Sequence, residues 1–294
     1  MYEYNIANKE TEKLKEQEVP SGFNPDDYTV ERLWATAPDG VQVPMAVVYK
    51  NGTKKDGSNP ALLYSYGSYG ISSDVYFSAS MYSLIDRGFV YAIAQIRGGS
   101  DLGEQWYEDG KLLHKKNTFT DFIACSEKLI EDGYTSSGKL AAMGGSAGGL
   151  LMGAVTNMRP DLYRTIVAQV PFIDVVNTML DDTLPLTTGE YEEWGNPNEE
   201  EYYNYMLSYS PYDNIKAQNY PNILITGGIN DSQVLFHEPA KYTAKLREMK
   251  TDNNIVLLHM NMDSGHGGAT GRYDGIKDTA FEFAFILNRV GIEK

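Results

Sequence analysis

The sequence predicts an α/β fold in which a mostly parallel central sheet is flanked by helices. Three observations point to it. Short apolar, strand-like runs alternate along the chain with helical patterns. Some runs, such as Asn222-Ile223-Leu224-Ile225-Thr226, are apolar at successive positions, as expected of a strand covered on both faces. One run, Leu140-Ala141-Ala142-Met143, ends in a glycine-flanked serine followed by small and apolar residues suited to a closely packed helix.

Taken in order, strands are expected near 31–36, 42–49, 61–65, 89–95, 139–143, 164–169, 222–226 and 255–259. Helices are expected near 76–87, 118–132, 147–157, 236–250 and 273–289. In the last, Phe281, Phe283, Phe285, Ile286 and Leu287 imply burial on more than one face. Residues 172–215 have weak periodicity and many Pro, Gly and acidic residues, and read as a cap or pocket-forming excursion rather than a separate domain. Residues 1–27 are polar and Lys/Glu-rich and read as an N-terminal arm, leaving 28–294 as one domain. No internal repeat is evident.

The glycine-flanked serine lies in Gly144-Gly145-Ser146-Ala147-Gly148, a G-x-S-x-G run between an expected strand and an expected helix. That context is the one a nucleophile elbow requires, with the serine projecting from a strained turn at the top of the sheet. The helix behind it aims its N-terminus, and the positive end of its dipole, at the site. An elbow of this kind belongs to the α/β-hydrolase fold.

A serine hydroxyl is a weak nucleophile and needs a base, which in turn needs an orienting acid. The chain has four histidines, at 114, 237, 259 and 266, and three of them follow Ser146. His266 lies in the loop Asp263-Ser264-Gly265-His266-Gly267-Gly268, directly after the strand-like run Ile255–Leu258, where the third member of a Ser…Asp…His order belongs. His259 ends that strand and His237 falls in a helix, so both read as structural. Asp231 follows the strand at 222–226, in the crevice at a strand's carboxyl end, and is the expected acid. An Asx-turn or helix cap is the competing role for it. For the oxyanion, the N–H of Ala147 is expected to act with a donor from Ser65-Tyr66-Gly67-Ser68-Tyr69-Gly70, where spacing does not separate Tyr66 from Tyr69.

Composition excludes several classes. With 294 residues and 42% hydrophobic content the chain can bury a substantial core. No run of eighteen apolar residues occurs, and the first twenty are too charged for a secretory signal. The single cysteine, Cys125, rules out an internal disulfide framework, so a cytoplasmic location is expected. The histidines are scattered, so neither a metal site nor a cofactor is expected. A net charge of −15 disfavours nucleic acid and anionic membranes and favours cationic ligands. The acidic runs at 190–193 and 199–201 read first as solvated faces. The wealth of Tyr and Trp in this stretch also suits the lining of a pocket.

Several stretches together resemble the catalytic domain of the prolyl oligopeptidase family, within it the oligopeptidase B branch. They are Tyr64-Ser65-Tyr66-Gly67-Ser68-Tyr69-Gly70, Arg97-Gly98-Gly99, Gln105 through Lys111, Gly144 through Gly149, Leu186 through Pro197, and Ser210-Pro211-Tyr212-Asp213. The resemblance runs from about residue 28 to the C-terminus, with a weaker echo in 1–27. It implies Ser146, Asp231 and His266 as a catalytic triad and Tyr66, rather than Tyr69, as the oxyanion donor. It also implies that Glu190 and Glu192 bind the Arg or Lys side chain preceding the scissile bond. Asp74 matches the first position of an acidic pair that family members use for a second basic side chain. Tyr76 stands at the second position and offers a cation–π face instead. Family members carry an N-terminal β-propeller, so residues 1–27 are expected to be the remnant of its last strand and trailing segment. Surface that a propeller covers is expected to favour self-association.

The expected activity is therefore that of a serine peptidase acting on small basic peptides through an acyl-enzyme. A carboxylesterase or acyl-aminoacyl hydrolase cleaving small esters with the same triad is the alternative. A non-catalytic binding subunit has no physical need for Ser146, Asp231 and His266 together.

Overall fold

The computed structural model describes residues 1–19, 22–271 and 273–292. Positions 20, 21, 272, 293 and 294, which fall within the expected arm and domain, lie outside the described residues. Its strands are β1 (Tyr2–Asn5), β2 (Glu10–Lys13), β3 (Tyr28–Thr36), β4 (Gln42–Lys50), β5 (Ala61–Tyr64), β6 (Val90–Ala94), β7 (Leu140–Gly145), β8 (Thr165–Gln169), β9 (Asn222–Gly228) and β10 (Val256–Asn261). The α-helices are α1 (Ala79–Ile85), α2 (Glu104–Glu108), α3 (Lys116–Glu131), α4 (Ala147–Met158), α5 (Val175–Leu180), α6 (Tyr191–Trp194), α7 (Glu200–Leu207), α8 (His237–Met249) and α9 (Asp274–Val290).

Eight strands form one sheet in the order β10-β9-β8-β7-β5-β6-β4-β3. From β10 to β6 neighbours run parallel, and β4 and β3 add antiparallel pairs at the far edge. Alternation along the strands divides the core into two layers. Ala61, Leu63, Leu140, Ala142, Ile166, Ile223 and Ile225 face one layer, with side chains of α3, α4 and α8. Leu62, Ala141, Met143, Val167 and Leu224 face the other, with Leu84 of α1 and Phe283, Phe285 and Ile286 of α9. A strand whose two faces are both covered reads as an unbroken apolar run, which is why β9 was legible.

Two regions take a form that patterning alone did not give. Residues 172–215 carry the short helices α5, α6 and α7 despite their weak periodicity. Trp194, Met206 and Tyr209 bury themselves in the larger core layer, so the segment is built into the domain. The expected strand and trailing segment near the N-terminus are the two strands of an antiparallel hairpin, β1 with β2, whose residues are all exposed. Among the described residues no helix is long and apolar enough to cross a membrane.

Candidate active site

Because β5, β7, β8, β9 and β10 run parallel, the loops that leave them meet at one edge of the sheet. Ser146 follows β7 directly, with φ +57° and ψ −116°, a conformation that costs on the order of 1–3 kcal/mol and persists only when neighbours hold it. They do so by hydrogen bonds. Ser146 N–H donates to the Gln169 carbonyl at 2.8 Å, and its own carbonyl accepts from Gly149 at 2.9 Å, Leu150 at 3.1 Å and Phe172 at 3.1 Å. Gly144 is required by close approach, since a Cβ there would lie 2.5 Å from the Gly148 carbonyl oxygen. The Gln169 side chain donates to Glu282 on α9 at 2.6 Å, tying the helix that follows the His266 loop to the strand beneath the elbow.

Asp231 and His266 come from adjoining loops. Asn230 N–H donates to the Ser264 carbonyl at 3.1 Å, and Ile229 N–H donates to that of Asn261 at 2.9 Å. Asn261 Oδ1 in turn accepts from Asp263 and Ser264, both at 3.0 Å. Gly228 makes the approach feasible, for a Cβ there would meet the Ser264 oxygen at 2.5 Å. One Asp231 oxygen accepts from the N–H groups of Gln233 and Val234, both at 2.9 Å. The other lies 2.8 Å from His266 Nδ1, and His266 Nε2 lies 3.0 Å from Ser146 Oγ. Burial pushes the Asp231 carboxyl up, but bonds from His266, Val234 and Gln233 outweigh it and hold the group below the usual carboxylate range. Held in this way, the imidazole keeps Nε2 free to take a proton from Ser146.

On the other side of Ser146, Ala147 opens α4 and is buried, while Tyr66 is half-buried and interacts with Ser146 through its hydroxyl. Burial pushes the Tyr66 phenol up to about 12, so it remains a hydrogen-bond donor at neutral pH. The loop bearing it is clamped from below. Lys115 Nζ donates to the Gly67 carbonyl at 2.6 Å and to Ser68 Oγ at 2.7 Å, and Glu193 accepts Tyr69 N–H at 3.0 Å and the Tyr107 hydroxyl at 2.7 Å. Sequence reasoning missed both Lys115 and Glu193, which are buried side chains in stretches that read as exposed.

A cleft enclosing about 820 Å³, solvent at its mouth included, opens beside Ser146, Ala147 and Tyr66. Phe172, Met179, Leu186 and Trp194 supply much of its apolar wall. Glu190 and Glu238 are the charged residues that line it, and among the described residues no Lys, Arg or His does. Glu190 Oε2 accepts from the Tyr69 hydroxyl at 2.6 Å and Trp194 Nε1 at 2.9 Å. Glu192 is exposed on α6 and does not line the cleft. Asp74 and Tyr76 are exposed and line a separate depression that also reaches Tyr66, Ser146 and His266. His259 packs against Phe281 with ring centroids 4.8 Å apart, away from the triad hydrogen bonds. No group of three His, Cys, Asp or Glu able to hold a metal ion occurs among the described residues. Glu238 gave no sequence signal, because an acid in the first turn of a helix reads as a partner for the helix dipole.

Comparison with known proteins gives the family. The chain is 52% identical over 292 residues to dipeptidyl aminopeptidase BI of Pseudoxanthomonas mexicana, covering 99% of this chain and 40% of that protein. Its fold superposes on oligopeptidase B from Leishmania major with a TM-score of 0.95 at 51% identity, covering 98% of this chain and 40% of that one. For oligopeptidase B from Trypanosoma brucei the TM-score is 0.96 at 48% identity, covering 100% and 41%. The chain thus spans about two fifths of the length of the relatives it matches. Residues 75–293, which include the elbow and the Asp231 and His266 loops, match the profile of the prolyl oligopeptidase family. An α/β-hydrolase sheet that joins Ser146, Asp231 and His266 at its carboxyl edge, together with these matches, identifies the chain as a member of the prolyl oligopeptidase family.

Proposed function

We propose that this chain is the catalytic domain of a serine peptidase that cleaves small peptides after Arg or Lys through an acyl-enzyme. His266 takes the proton from Ser146 Oγ as that oxygen attacks the scissile carbonyl carbon. Ala147 N–H and the Tyr66 hydroxyl bind the oxyanion. Asp231 holds the imidazole in its tautomer and stabilises its cation. His266 then protonates the leaving amine, the C–N bond breaks, and the acyl group stays on Ser146. Water, deprotonated by His266, releases the acid and restores the serine.

The observation that carries the specificity is the cleft: apolar walls for an aliphatic stem, carboxylate at Glu190, and no lining cation among the described residues to compete. The names of the similar structures, oligopeptidase B, support the same reading. The test is hydrolysis of an arginyl amide and of a butyrate aryl ester by wild type and Ser146→Ala. Wild type is expected to turn over the arginyl amide, and the variant to lose on the order of 10⁶ in kcat. A loss below about tenfold would remove Ser146 from the mechanism. Serine-dependent cleavage of the ester alone would favour the esterase reading.

A further inference from the structure

We propose that Glu238 is the second carboxylate that recognises a basic side chain in the cleft, acting with Glu190 in the place expected of Glu192. This rests on the basic-pocket reading above and adds to it a preference for a guanidinium over an ammonium.

Glu238 stands in the first turn of α8 and is 1% exposed, yet it lines the cleft beside the Ser232–Leu235 segment. Its Oε2 accepts the N–H of Ile173 at 2.7 Å and of Asp174 at 2.9 Å, and its Oε1 accepts the Thr178 hydroxyl at 2.7 Å. All three donors are neutral. Lys241, one turn further along α8, is paired with Asp174. A carboxylate buried among neutral donors is costly without a counter-charge. Burial pushes this carboxyl up to about 7, and the nearby Asp231 adds to the effect.

Among the described residues the lining of the cleft supplies no cation, so the missing charge fits one brought by a ligand. An ionised carboxylate has about four acceptor positions, and three on Glu238 are taken, leaving one on Oε1. Glu190 is half-buried and Glu238 fully buried, and they belong to different segments of the chain. A planar guanidinium with five spread donors can reach both at once, whereas an ammonium offers its three donors from one point. The hydrogen bonds to Ile173, Asp174 and Thr178 fix where the carboxylate sits. They also define the rival role, that of a brace for the cleft wall.

The experiment compares kcat/KM for arginyl, lysyl and citrullyl amides sharing one leaving group, citrulline being a neutral near-isostere of arginine. Wild type, Glu190→Gln, Glu192→Gln and Glu238→Gln are measured at pH 6 and pH 8. The arginyl-to-citrullyl ratio is expected to fall about tenfold or more in Glu238→Gln, as for loss of a hydrogen bond to a charged group, and to change less than about twofold in Glu192→Gln. In wild type the ratio should rise from pH 6 to pH 8 as Glu238 ionises, and Glu238→Gln should abolish the rise. The groups facing Glu238 are Asp231, the Asp174–Lys241 pair and, across the cleft, Glu190 and Tyr69. Titration of the triad itself cancels in the ratio.

Equal losses on arginyl and citrullyl amides in Glu238→Gln would make it a brace and overturn the proposal. So would a wild-type ratio that is flat with pH, a result that needs no variant. If wild type cleaves neither arginyl nor lysyl amides, the basic-pocket reading fails and this proposal with it. Arginyl cleavage with an unchanged ratio in Glu238→Gln overturns the Glu238 assignment alone.

Discussion

Asp231 lies on the β9–α8 connection and Glu238 in the first turn of α8, and in each one carboxylate oxygen accepts two backbone N–H bonds. Their protonation nevertheless goes opposite ways. Asp231 is bonded to the imidazole of His266 and is held below the usual carboxylate range, while Glu238 accepts hydrogen bonds from neutral donors and burial pushes it up to about 7. Both are nearly closed to solvent, at 4% and 1% exposure, but Glu238 lies deeper in the protein, so depth of burial and choice of partner act together. The fold supplies Asp231 with its hydrogen-bond partner, and on the proposal above the cleft carboxylate takes its partner from a ligand. On that reading one site keeps two carboxylates for two tasks.

The largest effect that would break this comparison is on turnover. Asp231→Asn should lower kcat by about 10⁴, because an amide no longer enforces the His266 tautomer. Steady-state kinetics that show a loss below about tenfold would mean that Asp231 serves only its backbone N–H bonds. Next, Glu190→Gln should cut the preference for arginyl over citrullyl amides by about tenfold, read as a ratio of kcat/KM. An unchanged ratio would reduce Glu190 to an anchor for Tyr69 and Trp194.

The remaining predictions concern stability. Glu238 has a folded pKa above its ordinary value of 4.5, so the unfolded chain loses that proton first and stability falls as pH rises from about 4.5 through about 7. Glu238→Gln removes this loss. Denaturant melts should show the variant gaining on wild type between pH 5 and pH 8, by up to about 3 kcal/mol. A constant difference would show that the carboxyl ionises freely in the folded state. Asp231 has the opposite sign: its folded pKa is depressed, so its contribution is present above the ordinary carboxylate pKa and lost as pH falls through the folded value. The stability gap between wild type and Asp231→Asn should therefore narrow below about pH 4. This is the smallest of the effects, and a gap that widens on acidification would contradict the assignment.

How much of this was legible depends on the range of the interaction. The elbow was readable because strand, serine and helix are adjacent in sequence, and the strained turn demands glycine at Gly144. His266 and Asp231 were readable because parallel strands announce themselves as apolar runs and the loops leaving them share one edge. Glu190 and Tyr66 were named through likeness to a family, not through spacing, and both line the cleft beside Ser146.

Glu192 shows where local reading ends. A stretch of charged residues on a short helix divides its side chains by face, and only packing says which face is which. Here Glu190 lines the cleft, Glu192 meets solvent and Glu193 is buried under the Tyr66 loop. Lys115 and Glu238 were silent for the same reason, since their partners lie more than forty residues away in the chain. The sequence alone determined the sheet, the elbow and the order of the three reactive side chains, because strand patterning and turn chemistry act between near neighbours. Only the tertiary structure decided which carboxylates face the cleft and which brace its walls, because that choice rests on burial and on hydrogen-bond partners brought together by folding.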